Sequence, residues 1–264
     1  MPRLGMLGDP QPYAFFGTFA GLPFWPGGLT LLAAAPGVGK TSWLLRMIHG
    51  AVESGCPAAL GCYEHTAEEL TYRLRRQAEA ALAGPHAQAS ARAVEARLAR
   101  GAQAVLLALS DQEDTVRSVE EQLLLDYGFP EGGPVLLALD YLQRVPVVGL
   151  TGLVAEARRG GEAAAALRAL ARRRGWALIA ACALRAEAFH GSGELADLLG
   201  DERLAYEADR VLLMRRKEAP RACGCVAVEA RTLKDRAGPE RSIQMEFWGA
   251  RFYPSLQAAA GEHG

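Results

Sequence analysis

At 264 residues the chain is long enough to bury one substantial core, so one α/β domain with additions is the expected scale. A formal net charge of −1 excludes a global basic field, and any nucleic-acid contact has to rest on local patches. No apolar stretch reaches the roughly 18 residues that span a membrane, and the first residues, with Asp9 and several prolines, lack the layout of a secretion signal. Five cysteines without paired C-x-x-C spacing point to reduced thiols and a cytoplasmic chain, with Cys223-Gly-Cys225 read as turn and strand core.

Residues 1–27 are rich in Pro, Gly and aromatics and read as an arm or lead-in; one domain is expected over 28–254, and 255–264 as a flexible tail. The apolar run 29–33 predicts the first strand, and an amphipathic helix is expected over 40–52. Between them lies Ala33-Ala34-Ala35-Pro36-Gly37-Val38-Gly39-Lys40-Thr41. A strand, a tight small-residue loop and a helix start aim successive backbone N–H groups inward and make a concave anion site. The pattern predicts a phosphate-binding loop formed by Ala35, Pro36, Gly37, Val38, Gly39, Lys40, Thr41 and Ser42, with Lys40 on the outer phosphates and the Thr41 hydroxyl on Mg²⁺. Ala34 stands where such loops usually open with glycine, so this is a relaxed version. The chain has 29 basic residues, yet lysine occurs only at Lys40, Lys217 and Lys234. A compact point charge kept in an otherwise arginine-rich chain, inside that loop, suggests chemistry.

A second strand is predicted over 57–63, ending at Glu64. Thr66-Ala67-Glu68-Glu69 has capping-box spacing, so a helix follows to about residue 83 with Leu70 and Leu74 inward. Further elements are a helix over 89–99, a strand over 105–109 and a helix over 113–127. The run 135–140 is wholly apolar until Asp140 closes it, the mark of a strand buried on both faces. A loop is expected over 145–161, carrying Arg158, Arg159 and the pair Gly160-Gly161, before a helix over 162–174. Then come a strand over 176–182, a loop over 186–193, short helix or irregular chain over 194–208, and strands over 210–215, 226–232 and 242–247. Strands alternating with helices, then a terminal strand cluster, make an α/β, doubly wound, mostly parallel sheet with antiparallel strands at its C-terminal edge.

In such a sheet ligands sit at the carboxyl ends of the strands. Asp140 has the context of a Walker B acid, which would share Mg²⁺ with Thr41. Glu64 is placed to orient a water against the γ-phosphate of ATP, with His65 and Glu68 as weaker substitutes.

Several blocks, in order, resemble the RecA-type ATPase domain of DnaB-like ring helicases over about residues 20–253. They are the phosphate loop, Tyr63-Glu64-His65-Thr66-Ala67-Glu68-Glu69-Leu70, Leu139-Asp140-Tyr141-Leu142-Gln143, Glu207-Ala208-Asp209-Arg210-Val211-Leu212-Leu213 and Lys234-Asp235-Arg236-Ala237-Gly238-Pro239. The Asp-Tyr-Leu-Gln and Lys-x-Arg-x-Gly-Pro blocks are the specific ones. The resemblance implies a RecA-like P-loop fold, Mg²⁺-dependent ATP hydrolysis and a homo-oligomer, a hexameric ring. It implies single-stranded DNA or a DNA fork as partner, with no membrane involved. It also implies that Lys234 and Arg236 reach the neighbouring subunit's ATP, and that the loops 145–161 and 186–193 line the pore, with Arg158 and Arg159 as candidate phosphate-backbone contacts. Two departures stand out. Ala183 occupies the end of a strand where the family usually has a polar residue, and the family's N-terminal helical domain has no counterpart, as in RepA-type helicases. A RadA-like recombination motor or a KaiC-like ATP-gated assembly module remain as other readings. The first usually carries a cysteine zinc module, and Ala183 keeps the second open.

Overall fold

The computed structural model describes residues 13, 23–84, 87–100, 104–149, 153–189, 191, 193–217 and 224–256. Among the described residues nine strands form one sheet, in the order β3-β2-β4-β5-β1-β6-β7-β8-β9. These are β1 (Leu29–Ala34), β2 (Ala58–Cys62), β3 (Ala104–Ala108), β4 (Leu136–Asp140), β5 (Ala177–Ala183), β6 (Arg210–Arg216), β7 (Cys225–Asp235), β8 (Ser242–Trp248) and β9 (Tyr253–Leu256). The first six run parallel and the last three are added antiparallel. β1, β2 and β4 are buried at every residue, as their unbroken apolarity requires of strands covered on both faces.

One face is covered by α1 (Lys40–Glu53), with α2 (Ala67–Ala83) and α3 (Ala91–Arg100) beyond it. The other is covered by α4 (Val116–Leu125), α5 (Leu153–Arg174) and α6 (Glu202–Glu207). α2 begins as its sequence dictates. The Thr66 hydroxyl accepts from the Glu69 N–H at 3.2 Å, and the Glu69 carboxylate accepts from the Thr66 N–H at 3.0 Å. Leu70 is buried, whereas Leu74 is only half-buried.

Two expectations change. The segment expected as a loop over 145–161 is helical from Leu153, so Arg158 and Arg159 lie on α5 itself. The glycine pair placed in that loop is instead a site of close approach. A Cβ on Gly160 would come within 2.8 Å of the Leu204 side chain, and one on Gly161 would overlap Asp201. α5 therefore carries glycines so that α6 and the turn before it can pack against it. The second change is β9, a strand absent from the sequence reading, which joins the sheet edge although it contains a proline. Pro254 pairs with Phe247 on the outermost strand, the position in a sheet where proline is tolerated.

The acid-Ala-Asp block before β6 fixes the start of β1. The Leu29 N–H donates to Asp209 Oδ2 at 2.8 Å, Arg168 pairs with the same carboxylate, and Arg168 also donates to the Gly27 carbonyl at 2.7 Å. Asp209→Ala leaves a largely buried guanidinium and a strand N–H without their acceptor. The expected cost is about 2 kcal/mol, below that of a fully buried pair because the site is partly wet. Urea unfolding with an unchanged midpoint would rule this staple out.

Candidate active site at the carboxyl edge of the sheet

β1 delivers the chain at Ala34 into a loop that only glycine can complete. Gly37 has φ 74° and Gly39 φ 109°, both in the left-handed region. A Cβ on Gly39 would also press on the Phe247 ring at 3.2 Å. The Gly37 carbonyl is turned outward and accepts from Arg216 at 2.5 Å. α1 then starts with no side-chain cap and no acid in its first turn, leaving its N-terminal N–H groups and dipole for an anion.

Lys40 is the first residue of α1, and its ammonium donates to the Ala34 and Ala35 carbonyls at 3.1 and 3.4 Å. Burial lowers its pKa, while the charges of Asp140 and Glu64 oppose that shift. Next to it the Thr41 hydroxyl donates to Asp140 Oδ2 at 2.5 Å. Asp140 is fully buried, which raises its pKa; the Thr41 bond works the other way. Its second oxygen, Oδ1, is buried with no hydrogen-bond partner. A buried carboxylate oxygen left open beside a threonine hydroxyl is the donor set that suits a hard divalent cation completed by phosphate oxygens and water. Among the described residues no cluster of three or more His, Cys, Asp or Glu side chains is placed to hold a metal ion.

Glu64 follows β2 and is exposed on the wall of the same cavity, whose volume is about 520 Å³. His65 shares that wall, but its ring is held 3.3 Å from Glu69, and Glu68 lies off the wall. The structure thus brings together the loop residues Pro36, Gly37, Gly39, Lys40, Thr41 and Ser42 with Glu64, and Asp140 touches the group through Thr41. It also adds residues the sequence reading missed. Phe247, Phe252 and Arg73 line the cavity, with the Arg73 guanidinium 4.9 Å from the Phe252 ring centre. They offer a flat, partly apolar wall suited to a base. Only Phe247 carried a sequence signal, strand alternation in β8, and that says nothing of a ligand.

The family model that matches is the DnaB-like helicase C terminal domain, over residues 19–252. The chain belongs to that family. It is therefore an enzyme, an ATP-hydrolysing helicase domain. Solved structures agree in fold. One, described as an ATPase domain, superposes with TM-score 0.78 at 18% identity, over 95% of this chain and 94% of that one. A DnaB-like replicative helicase, described with its interactions with primase, gives 0.76 at 19% identity over 94% of this chain and 63% of that one. The RadB recombinase gives 0.59 at 19% identity, over 91% and 95%. No curated protein sequence matches the chain.

In this DnaB-like domain the remaining predicted residues lie apart from the cavity. Asp235 pairs with Arg210, the first residue of β6, so Lys234 and Arg236 sit at the amino edge of the sheet. Their own phosphate loop is at the opposite edge, about 15–20 Å away along the strands. The Lys234 ammonium donates to the carbonyls of Ala205, Tyr206 and Ala208 at 2.7, 3.3 and 2.6 Å, closing the end of α6. Arg236 is more open. It donates to the Tyr206 carbonyl at 2.8 Å and lies over the Tyr206 ring at 5.8 Å, and that tyrosine is 72% exposed.

Arg158 is exposed on α5, while Arg159 lines a second cavity of about 580 Å³ together with Arg144 and Arg185. Arg144 is paired with Asp111 at 2.9 Å, and Arg185 donates to the Leu198 and Gly200 carbonyls at 3.2 and 2.9 Å. Tyr141 and Leu199 are walls of both cavities. No described helix is long and apolar enough to cross a membrane.

Proposed function

We propose that the domain, over residues 28–254 between a lead-in and a tail, works as the motor of a cytoplasmic head-to-tail ring, six copies being the expected number. The ring would couple Mg²⁺-dependent ATP hydrolysis to movement along and unwinding of DNA. The observation that carries this reading is the separation of Lys40 and Glu64 from Lys234 and Arg236 on opposite edges of one sheet. A single chain cannot bring Arg236 to its own phosphates, whereas a neighbour stacked head to tail can. Cys56, Cys62 and Cys182 are free thiols, in keeping with a reducing compartment.

The geometry supports a division of labour. The phosphate loop N–H groups and Lys40 hold the β- and γ-phosphates. Thr41 and Asp140 would hold Mg²⁺, whose charge would offset that of the phosphate oxygens. Glu64 orients the attacking water and takes its proton. Arg236 enters from the neighbour, presented by a turn whose base Lys234 ties to α6. Arg159, joined by Arg144 and Arg185 and with Arg158 nearby on the same helix, supplies the positive face for a phosphate backbone.

Glu64→Gln is expected to bind a fluorescent ATP analogue as the unaltered protein does and to lose hydrolysis by about 10²- to 10⁴-fold, because the amide keeps the shape but cannot accept the proton. Near-normal turnover in this variant, with loss of activity in a Glu68 variant, would move the base. The ring-motor reading is tested by displacement of a labelled strand from a forked duplex with ATP. Hydrolysis without displacement would favour the KaiC-like module, and strand exchange without displacement the RadA-like motor.

A further inference from the structure

The two cavities share Tyr141 and Leu199 as wall residues, and the Gln143 side chain braces that wall. Gln143 lies three positions beyond Asp140, in the short turn that leaves β4. Its Oε1 accepts from the Ala183 N–H at 3.1 Å, at the last residue of β5. Its Nε2 donates to the Leu199 carbonyl at 2.7 Å, with the Cys182 sulfur at 3.1 Å. One amide thereby joins the end of the Asp140 strand, the end of β5 and the loop that returns from β5 to α6.

Both ends of this bridge touch functional ground. Ala183 and Leu199 line the nucleotide cavity, and Leu199 and Gln143 line the arginine-bearing one. The returning loop is closed on β5 by further bonds. The Leu199 N–H donates to the Ala183 carbonyl at 2.9 Å, and the Arg185 N–H to the Asp197 carbonyl at 2.9 Å. Ala183 has no polar side chain, so on the β5 side the link is made by the backbone N–H, and the side chain that reaches it is Gln143.

We infer that Gln143 is the positioning residue through which nucleotide occupancy beside Asp140 is communicated to the arginine-lined face. This rests on the ring-motor reading and names how that site is regulated. A shift at the end of β4 moves the Gln143 amide. Through its two bonds the shift reaches the end of β5 and the segment carrying Leu199 and Gly200, against which Arg185 is fixed. Coupling of this kind is a free energy shared between two sites, and deleting the connecting element lowers it without removing either site.

Two variants separate the bonds. Gln143→Leu removes both, and Gln143→Glu keeps an acceptor for the Ala183 N–H but loses the donor to Leu199. The assay is ATP turnover with and without a poly(dT) oligonucleotide, alongside binding of a fluorescent ATP analogue and the thermal unfolding midpoint. Both variants are expected to lose stimulation by the oligonucleotide about 5-fold or more, while analogue affinity stays within about 2-fold. A purely structural role would lower the unfolding midpoint and analogue affinity together, and that outcome in both variants overturns the inference. Full stimulation in either variant also overturns it. Absence of stimulation in the unaltered protein strikes the ring-motor reading itself and is thereby distinguished.

Discussion

Lys40→Ala is expected to bring ATP turnover to background, a loss of at least about 10²- to 10³-fold. The reason lies in what surrounds the ammonium. It is largely buried, it donates to the Ala34 and Ala35 carbonyls, and the carboxylates of Asp140 and Glu64 favour its charged form. A triphosphate would present far stronger acceptors in the same place, so Lys40 exchanges weak backbone partners for charged ones as the substrate enters. As charge grows on the phosphoryl group, Arg216, the other cation beside the loop, is off the cavity wall and bonded to the Gly37 carbonyl. Arg73 is across the cavity, at the Phe252 ring. The alanine variant should fold, because the Lys40 side chain faces the cavity and not the apolar core beneath α1. Turnover assayed with coupled phosphate release, at saturating ATP and Mg²⁺, tests this, and activity within about 3-fold of the unaltered protein would remove the loop from the chemistry.

The parts legible in the sequence are those governed by local rules. Buried parallel strands must be apolar throughout, so β1, β2 and β4 stood out, and a loop that binds phosphate needs left-handed glycines at fixed places, as Gly37 and Gly39 provide. The capping box at Thr66 is likewise a matter of four adjacent residues. What stayed hidden depends on partners distant in sequence. Gly160-Gly161 signals a break in any local reading, and only the packing of Leu204 and Asp201 explains why helix α5 tolerates it. Arg144 and Arg185 lie on either side of Arg159 in the chain, in the turn after β4 and beyond β5, and became one face only when β4 and β5 paired. Phe252, at φ 50°, gave no sign that its ring would face a cavity whose phosphate end lies more than two hundred positions earlier. Gln143 belongs with these, since its value comes from Ala183 and Leu199, not from its neighbours.

Arg236→Ala is expected to be inactive alone and to regain activity when mixed with inactive Glu64→Gln protein. Removing a transition-state arginine costs about 10³- to 10⁵-fold in turnover. That loss should come without a large loss of stability, because Arg236 is a partly exposed side chain whose partners are the Tyr206 carbonyl and a long contact to Asp209 at 3.4 Å. In a ring of one variant every site has the same defect. In a mixed ring, some sites take Glu64 from an Arg236→Ala subunit and Arg236 from a Glu64→Gln neighbour, and those sites are complete. With random assembly from equal amounts, about one quarter of the interfaces are of this kind, which sets the ceiling on recovered activity if sites act independently. Recovery should appear only where the protein assembles, so it should fade on dilution along with the crosslinked species. The observed geometry makes the experiment decisive, because Arg236 and Lys40 lie at opposite edges of the same sheet and no movement short of unfolding would let one chain supply both. If mixed rings form, as crosslinking of two differently tagged variants would establish, and activity still does not return, Arg236 has no partner across the interface. The ring-motor reading would then lose the element through which one subunit senses its neighbour's nucleotide.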